Sequence, residues 1–210
     1  MTTAKNLSKV LCSNFQRFQN ISLAKRTPSA DALQAILQEH DVRPEEVEEI
    51  RSFVPKMHAF IGGPDPEAMY VPSNYLKAQM SLPYTLSIIL LDREIFLDQY
   101  KPEKLTNPRV LEYARKVKVT ADPEMDRMLN EGKWPSRVQL ITKAGKSYES
   151  VVLSPKGSPQ NPLSDDELER KFTRLSMKVL NEKQMKEVIQ LVNDLESLRE
   201  ISSLTRLLVQ

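Results

Sequence analysis

The chain has 210 residues, of which 40% are hydrophobic and 28% are charged, a composition typical of a globular protein with a substantial core. Thirty basic and 28 acidic residues give a formal charge of +2, which is too balanced for non-specific nucleic-acid binding. The longest apolar run, residues 86–91, is far shorter than the ~20 residues that span a bilayer, so we expect neither a nucleic-acid nor a membrane partner.

Cysteine and histidine are scarce. Cys12 has no second cysteine to pair with, and His40 and His58 alone are too few for a zinc site of ordinary ligand number. We therefore expect no metal and a reducing compartment, the cytoplasm. The first thirty residues contain five Lys or Arg and no acid, which is typical of a mitochondrial transit peptide or, alternatively, of an ordinary basic helix of the fold.

The first predicted elements are a short helix and a strand. Ser29 is the expected N-cap of an amphipathic helix that ends near His40, and Pro44 opens the following turn. The second half of residues 47–61 predicts a strand that contains His58 and is interrupted at Pro55, and therefore lies near a sheet edge. Residues 62–66, rich in Gly and Pro, predict a loop.

A dense apolar segment follows. Residues 74–99 predict a buried helix pair or one helix kinked at Pro83, because proline removes a backbone donor. Asn107 followed by Pro108 has the form of a helix start, and residues 117–120 predict a short strand.

The sheet is predicted most clearly by a hairpin. Residues 137–142 and 148–153 are rich in β-formers and flank a short turn that contains Gly145. Ser164 and Glu167 form a capping box, after which apolar residues recur at helical spacing from Met185 to Leu208. We predict an α+β fold with a small antiparallel sheet in residues 1–157, followed by a helical segment in residues 158–210.

Familiar catalytic motifs are absent from the sequence: it has no Gly-rich phosphate loop, no His-Glu-x-x-His and no Gly-x-Ser-x-Gly. Asp122 and Asp126 are a possible carboxylate pair for acid–base chemistry. His58 is either a structural histidine or a titratable group beside the Gly-Gly loop, where it would bind substrate. Trp134 is expected to be a packing anchor.

Two blocks carry a family resemblance. Residues 77–84 (Lys-Ala-Gln-Met-Ser-Leu-Pro-Tyr) look like the alanine, serine, proline, tyrosine signature of the MmgE/PrpD family, which includes 2-methylcitrate dehydratases and cis-aconitate decarboxylases. Residues 156–168, followed by Lys171 and Phe172, are similar to the Gly-x-Pro-x-Asn-Pro-Leu hinge and Lys-Phe helix of that family. The resemblance extends over nearly the whole chain from about Phe15.

The resemblance implies a fold and a chemistry. The family subunit is about twice this length, with a large helical domain, a smaller α/β lid and a return of the chain to the helical domain. This sequence resembles the lid and the returning helices. The family enzymes are lyases that act on small tricarboxylates without a metal or organic cofactor: a base removes a proton beside a carboxylate, and the site stabilises the resulting charge.

Individual site residues follow from the resemblance. Tyr84 matches the family tyrosine that faces the site, where its phenol would donate a proton or hold a carboxylate; the alternative is a packed aromatic residue with a satisfied hydroxyl. Lys77 and Ser81 would contact substrate anions. Arg17 stands near the position of a family lysine, where it would clamp a carboxylate but transfer no proton, and Asp31 fits a downstream Ile-Asp pair.

Two functions remain open on this basis. The chain is expected to be the C-terminal part of a lyase, inactive alone, because the resemblance assigns the catalytic Asp and His to the N-terminal helical domain. Alternatively, it is a non-catalytic module that pairs with a full-length family member. Both interpretations predict association, either with a helical-domain partner chain or with further copies of itself, through the apolar helical stripe.

Overall fold

A computed structural model describes residues 27–59 and 67–208 of the chain. These residues separate into two compact units, 27–161 and 162–208. The first unit contains a four-stranded mixed sheet and short helices, so the predicted α+β class is confirmed. Its strands are β1 (Val47–Val54), β2 (Val117–Ala121), β3 (Ser136–Thr142) and β4 (Ser147–Val152).

The described part of the first unit also contains eight helices. They are α1 (Thr27–Glu39), α2 (Lys56–Ala59), α3 (Glu67–Tyr70), α4 (Tyr75–Met80), α5 (Leu82–Asp92), α6 (Pro102–Leu105), α7 (Pro108–Arg115) and α8 (Pro123–Asn130). Single 3₁₀ turns occupy Pro44–Glu46 and Leu97–Tyr100. The predicted helix pair within residues 74–99 is therefore present as α4 and α5, and Pro83 lies in the first turn of α5, where its missing N–H costs nothing.

The strands are ordered β2-β1-β3-β4. β1 is parallel to β2, with Ile50 opposite Val117, and antiparallel to β3, with Ile50 opposite Leu140. The expectation of an edge strand interrupted at Pro55 was wrong. The strand occupies the first half of residues 47–61 and lies between two neighbouring strands. A central position is compatible with Pro55 because the proline follows the last paired residue and removes no hydrogen bond from the ladder.

The β3–β4 hairpin confirms the strongest sheet prediction. Gly145 has a φ of +78°, and its N–H donates to the Thr142 carbonyl at 2.9 Å. A three-residue loop of this form needs a left-handed residue in its last position, which glycine adopts without strain.

Helices cover one face of the sheet. Alternate residues of β3 are buried, including Val138 and Leu140, and helix α1 packs against β3 and β4. Leu33 of α1 and Leu86 of α5 are fully buried in the same apolar cluster. Because one face of β3 is buried and the other is half-exposed, the strand register is fixed by the core.

A chain of three serine hydroxyls lies at the contact between α1 and the sheet. Ser52 donates to Ser29 at 3.0 Å, the Ser29 and Ser136 hydroxyls are 2.5 Å apart, and Ser136 donates to the Phe53 carbonyl at 3.2 Å. Ser29 is therefore a buried residue inside α1, and its predicted role as the N-cap was wrong. The serine needs these partners because an unpaired hydroxyl is costly to bury.

The second unit consists of helices α9 (Asp165–Ser176), α10 (Glu182–Asn193) and α11 (Ser202–Leu208), with a 3₁₀ turn at Leu195–Ser197. The predicted capping box is confirmed, since the Ser164 hydroxyl accepts from the Glu167 N–H and the Glu167 carboxylate accepts from the Ser164 N–H. The apolar stripe from Met185 to Leu208 is divided between α10 and α11.

Few apolar side chains are buried in this second unit. Among the described residues 162–208, only Met185 and Val188 are buried hydrophobics. Four others are more than half exposed: Met177, Val179, Ile201 and Leu208. Side chains of this kind are suited to contact another surface.

Two of the predicted segments lie outside the described ranges. One is the basic N-terminal segment, which contains Cys12 and Arg17 and on which the mitochondrial alternative rests, and the other is the loop of residues 62–66. Within the described ranges, no helix is both long enough and apolar enough to cross a membrane.

Candidate functional site

The segment 77–84 forms the junction between α4 and α5. The Asn74 side chain caps α4 by accepting the Lys77 N–H at 2.9 Å. Ser81 ends α4 and is also the N-cap of α5, where its hydroxyl accepts the Tyr84 N–H at 3.0 Å. The same hydroxyl donates to the Met69 carbonyl of α3. Ser81 is 1% exposed. The bond that its hydroxyl accepts and the bond that it donates both stabilise the fold.

Tyr84 lies in the interior of the first unit. Its side chain is fully buried among apolar residues that include Ala78, Ile88 and Tyr100, and its phenol donates to the Gln99 carbonyl at 2.9 Å. Burial, followed by the proximity of Tyr100 and Asp92, raises the pKa of Tyr84 well above its ordinary value. At neutral pH the phenol is therefore a neutral hydrogen-bond donor.

The residues around the Tyr84 phenol are themselves held by polar contacts. The Gln99 amide donates to Asp92 at 3.2 Å and accepts the Phe96 N–H at 3.0 Å. Lys104 donates to the same Asp92 carboxylate at 2.6 Å. These bonds fix the 3₁₀ turn that presents the Gln99 carbonyl to Tyr84.

A cavity of about 250 Å³ lies beside the α4–α5 junction. Its lining residues are Ala68, Met69, Leu76, Lys77, Met80 and Ser81. Lys77 supplies the single ionisable side chain of this lining and is exposed, so its ammonium group is available to an anion. The apolar remainder, including Leu76 at 61% exposure, suits a surface that another element covers.

The second motif, residues 156–163, forms a tight turn after β4. The Lys156 N–H donates to the Asp31 carboxylate at 2.7 Å, which ties this turn to helix α1. Gly157 has a φ of +89°, and its N–H donates to the Asn161 carbonyl at 2.7 Å. The Asn161 amide donates to the Ser154 carbonyl at 3.1 Å. The glycine and asparagine of the motif thus shape the backbone.

Asp31 carries an electrostatic cost. Desolvation raises the pKa of its carboxyl, and the hydrogen bond and positive charge of Lys156 offset only part of that effect. In return, the carboxylate accepts the Lys156 N–H, which connects the turn after β4 to helix α1.

His58 lies on a different element from the junction. The expectation that it belongs to a strand was wrong, because residues after Pro55 turn into helix α2. Its buried ring stacks on Trp134 with centroids 5.9 Å apart. Trp134 is 40% exposed. The structure therefore brings Lys77, Ser81 and Tyr84 together and places His58 beside Trp134.

The pair Asp122 and Asp126 is accounted for by helix capping. Asp122 accepts the Glu124 N–H at the start of α8 and binds Arg137, both at 2.8 Å. Asp126 accepts the Lys56 N–H at 2.8 Å and so fixes the start of α2. The two acids serve different backbone and side-chain partners instead of sharing a proton.

Comparison with known proteins identifies the family. A model of the MmgE/PrpD C-terminal domain matches residues 26–196. The chain belongs to the MmgE/PrpD family. It is 31% identical over 142 residues to the cis-aconitate decarboxylase of Aspergillus terreus and 28% identical over 151 residues to that of Mus musculus. The alignment with the Homo sapiens enzyme covers 147 residues at 27% identity.

These alignments cover 65–68% of the chain but only 28–30% of the length of those three MmgE/PrpD relatives. The family model that matches residues 26–196 describes the C-terminal domain of the family. The resemblance seen in residues 77–84 and 156–168 is thereby confirmed.

In this MmgE/PrpD chain, most polar groups of the two sequence blocks hold the fold. Ser81 caps a helix, Tyr84 donates into the core, and Asn161 and Gly157 shape a turn. Lys77 differs from these residues, because it is exposed and lines the cavity.

Sequence reasoning missed two features of this MmgE/PrpD unit. The hydrogen bond between Asp31 and Lys156 joins residues 125 positions apart, and no local pattern announces such a contact. The Asp92–Lys104 ion pair behind Gln99 was missed for the same reason. The available signal was that Lys156 lies in a block that carries the family resemblance and that Asp31 fits a family Ile-Asp pair.

Proposed function

We propose that the chain provides the lid part of a cofactor-independent lyase that acts on a small tricarboxylate, with cis-aconitate decarboxylation as the expected reaction, and that it turns over nothing alone. The observation that carries the proposal is the family match over residues 26–196, together with relatives named cis-aconitate decarboxylase that align with the same region.

The charge of the substrate class explains the proposed role of Lys77. A tricarboxylate must exchange its hydration for cationic partners, and charge-assisted bonds to ammonium or guanidinium groups are the strongest available. Lys77 is exposed at the cavity of the α4–α5 junction and would bind one carboxylate. Arg17 would bind another, and His58 and Ser81 remain secondary candidates for substrate contact.

Tyr84 is proposed as the proton donor, provided that its hydroxyl is released from its present hydrogen bond. Decarboxylation breaks the bond between a carbon and a carboxylate, and a proton must then be delivered to carbon. The Tyr84 phenol would first have to leave the Gln99 carbonyl, to which it donates in the present arrangement. The proposal thus requires that a partner surface on this side of the unit rearrange that hydrogen bond.

The burial of Ser81 and Tyr84 favours a second candidate function. Because both hydroxyls are committed to the fold, the chain would serve equally well as a non-catalytic module that binds a full-length family member. The partner in either case is a helical domain or a further copy, for which the exposed apolar residues of 162–208 are the proposed contact.

An assay of cis-aconitate consumption distinguishes these functions. We expect no turnover by the chain alone, and turnover when it is mixed with the separately produced N-terminal part of the Aspergillus terreus enzyme. In the active mixture, Lys77→Met should raise KM more than it lowers kcat, whereas Lys143→Met, at an exposed turn position, should change neither.

Three results would redirect the proposal. Turnover by the chain alone that Tyr84→Phe abolishes would show a self-contained enzyme. An inactive mixture, combined with an altered rate of the full-length decarboxylase when the chain is added, would establish the non-catalytic module. An inactive mixture without any binding would overturn both functions.

A further inference from the structure

Strand β4 forms one edge of the sheet. Within the described residues, β3 is the only strand that pairs with it. An unpaired edge presents a row of backbone donors and acceptors that can template a further strand.

The hairpin geometry identifies the backbone groups that face this edge. Thr142 donates its N–H to the Lys146 carbonyl, so that pair is hydrogen-bonded, and the pairs alternate from there along the regular β3–β4 register. Tyr148, Ser150 and Val152 therefore bond to β3. The N–H and carbonyl groups of Glu149 and Val151 point away from β3, toward the free edge.

The edge has little protection against pairing. Residues 147–152 contain no proline and no basic residue, and Glu149 is their one charged side chain. Natural edges are usually blocked by such residues, by bulges or by a covering element. The solvent-facing side chains include Val151 at 47% exposure, followed after the strand by Leu153 at 42%.

We propose that this edge pairs antiparallel with β4 of a second copy of the chain, about a two-fold axis perpendicular to the sheet and centred on Ser150. In the joined sheet, residues that lie opposite each other must have side chains on the same face, so the axis must pass through a residue and not between two residues. For the six residues of β4, an axis at Glu149 or at Ser150 gives the longest overlap. A centre at Glu149 would set two like charges opposite each other. The Ser150 centre instead sets Glu149 opposite Val151 and Tyr148 opposite Val152.

This register is self-complementary. Each copy contributes the outward amides of Glu149 and Val151, which become two hydrogen-bonded pairs across the axis. The result is a continuous eight-stranded sheet with the α1 helices on one side. Because a single strand pair buries little area, the dimer forms reversibly and depends on protein concentration.

Sedimentation velocity of the full chain over a range of concentrations tests the surface. Val151→Pro removes one outward N–H at a position where the β3 ladder needs none, and should weaken dimerisation about tenfold or more with an unchanged circular dichroism spectrum. The matched control Val151→Thr keeps both the N–H and the strand propensity and should dimerise like the parent. A chain that stays monomeric throughout, or a dimer indifferent to Val151→Pro, overturns the proposal.

Disulfide trapping tests the register independently of that substitution. In a Cys12→Ser background, Ser150→Cys places two thiols in a non-hydrogen-bonded pair at the axis, where side chains are closest. Oxidised glutathione should therefore convert it to a covalent dimer, while Glu149→Cys in the same background should remain mostly uncrosslinked. Preferential crosslinking of the Glu149→Cys variant would overturn the Ser150-centred register.

Discussion

Burial decides what the Tyr84 side chain can do. Burial among apolar residues raises the pKa of the phenol, which donates a hydrogen bond to the Gln99 carbonyl. The phenol therefore acts as a neutral donor. A tyrosine in this setting contributes both apolar area and one directed hydrogen bond. The hydroxyl is therefore structural in this arrangement, whatever it does when a partner surface is present.

The Tyr84→Phe substitution measures that contribution. It keeps the ring and removes the donor, so we expect the free energy of unfolding to fall by about 1–3 kcal/mol, the cost of a buried acceptor that loses its partner. Urea denaturation is the measurement. Tyr148→Phe is the control, since its half-buried ring stacks on His40 and the substitution keeps that ring. Equal stability of the Tyr84→Phe variant and the parent would show that the Gln99 carbonyl finds another donor.

At the scale of elements, the serine chain couples α1 to the sheet. Ser29→Ala should lower the free energy of unfolding by about 1–3 kcal/mol, because it strands the Ser52 hydroxyl in the interior. Adding Ser52→Ala removes that stranded group, so the double variant should be more stable than the sum of the single effects predicts.

Chemical denaturation of the two single variants and the double variant provides the cycle. Ser203→Ala, at an exposed position of α11, serves as a surface control and should have little effect. Strict additivity of the Ser29 and Ser52 effects would contradict the coupling.

The elements predictable from sequence are those whose pattern is local. The β3–β4 hairpin carries its turn glycine, α7 carries Asn107 and Pro108, and α9 carries its capping box. The strand before Pro55 was misplaced because β1 derives its position from two neighbouring strands distant in sequence. His58 was misassigned with it, since a four-residue helix has too few residues to show a period.

The candidate site was predictable only in part, for a related reason. The blocks that contain Lys77, Ser81 and Tyr84 are visible in the sequence, and the structure does bring the three residues to one junction. Whether a hydroxyl faces a cleft or a carbonyl depends on distant partners such as Met69 and Gln99. Sequence pattern does not encode those partners.

At the scale of the whole first unit, Asp31 and Lys156 connect its beginning to its end. Desolvation raises the folded-state pKa of Asp31 above the ordinary 3.8, so its protonated form favours folding. That contribution is fully present below the unfolded-state pKa and is lost as the pH rises through the folded-state pKa. At neutral pH the partly desolvated charge therefore costs stability.

Asp31→Asn tests this sign. The amide oxygen can still accept the Lys156 N–H without burying a charge, so the variant should be at least as stable as the parent at pH 7 and should lose that advantage as the pH falls toward 3. Asp31→Ala should be less stable at both pH values, by about 1 kcal/mol. Asp41→Asn, at an exposed position, is the charge control. A parent that is more stable than Asp31→Asn at pH 7 would contradict the desolvation argument.

The same contact brings an early and a late segment of the first unit together. Because residue 31 contacts residue 156, helix α1 and the turn after β4 lie side by side, although the chain between them forms the whole sheet. A unit whose ends meet can be inserted into a surface loop of another domain without stretching either partner, and such insertions are well tolerated. The contact between Asp31 and Lys156 therefore brings two segments 125 positions apart together at one place, a geometry compatible with such an insertion.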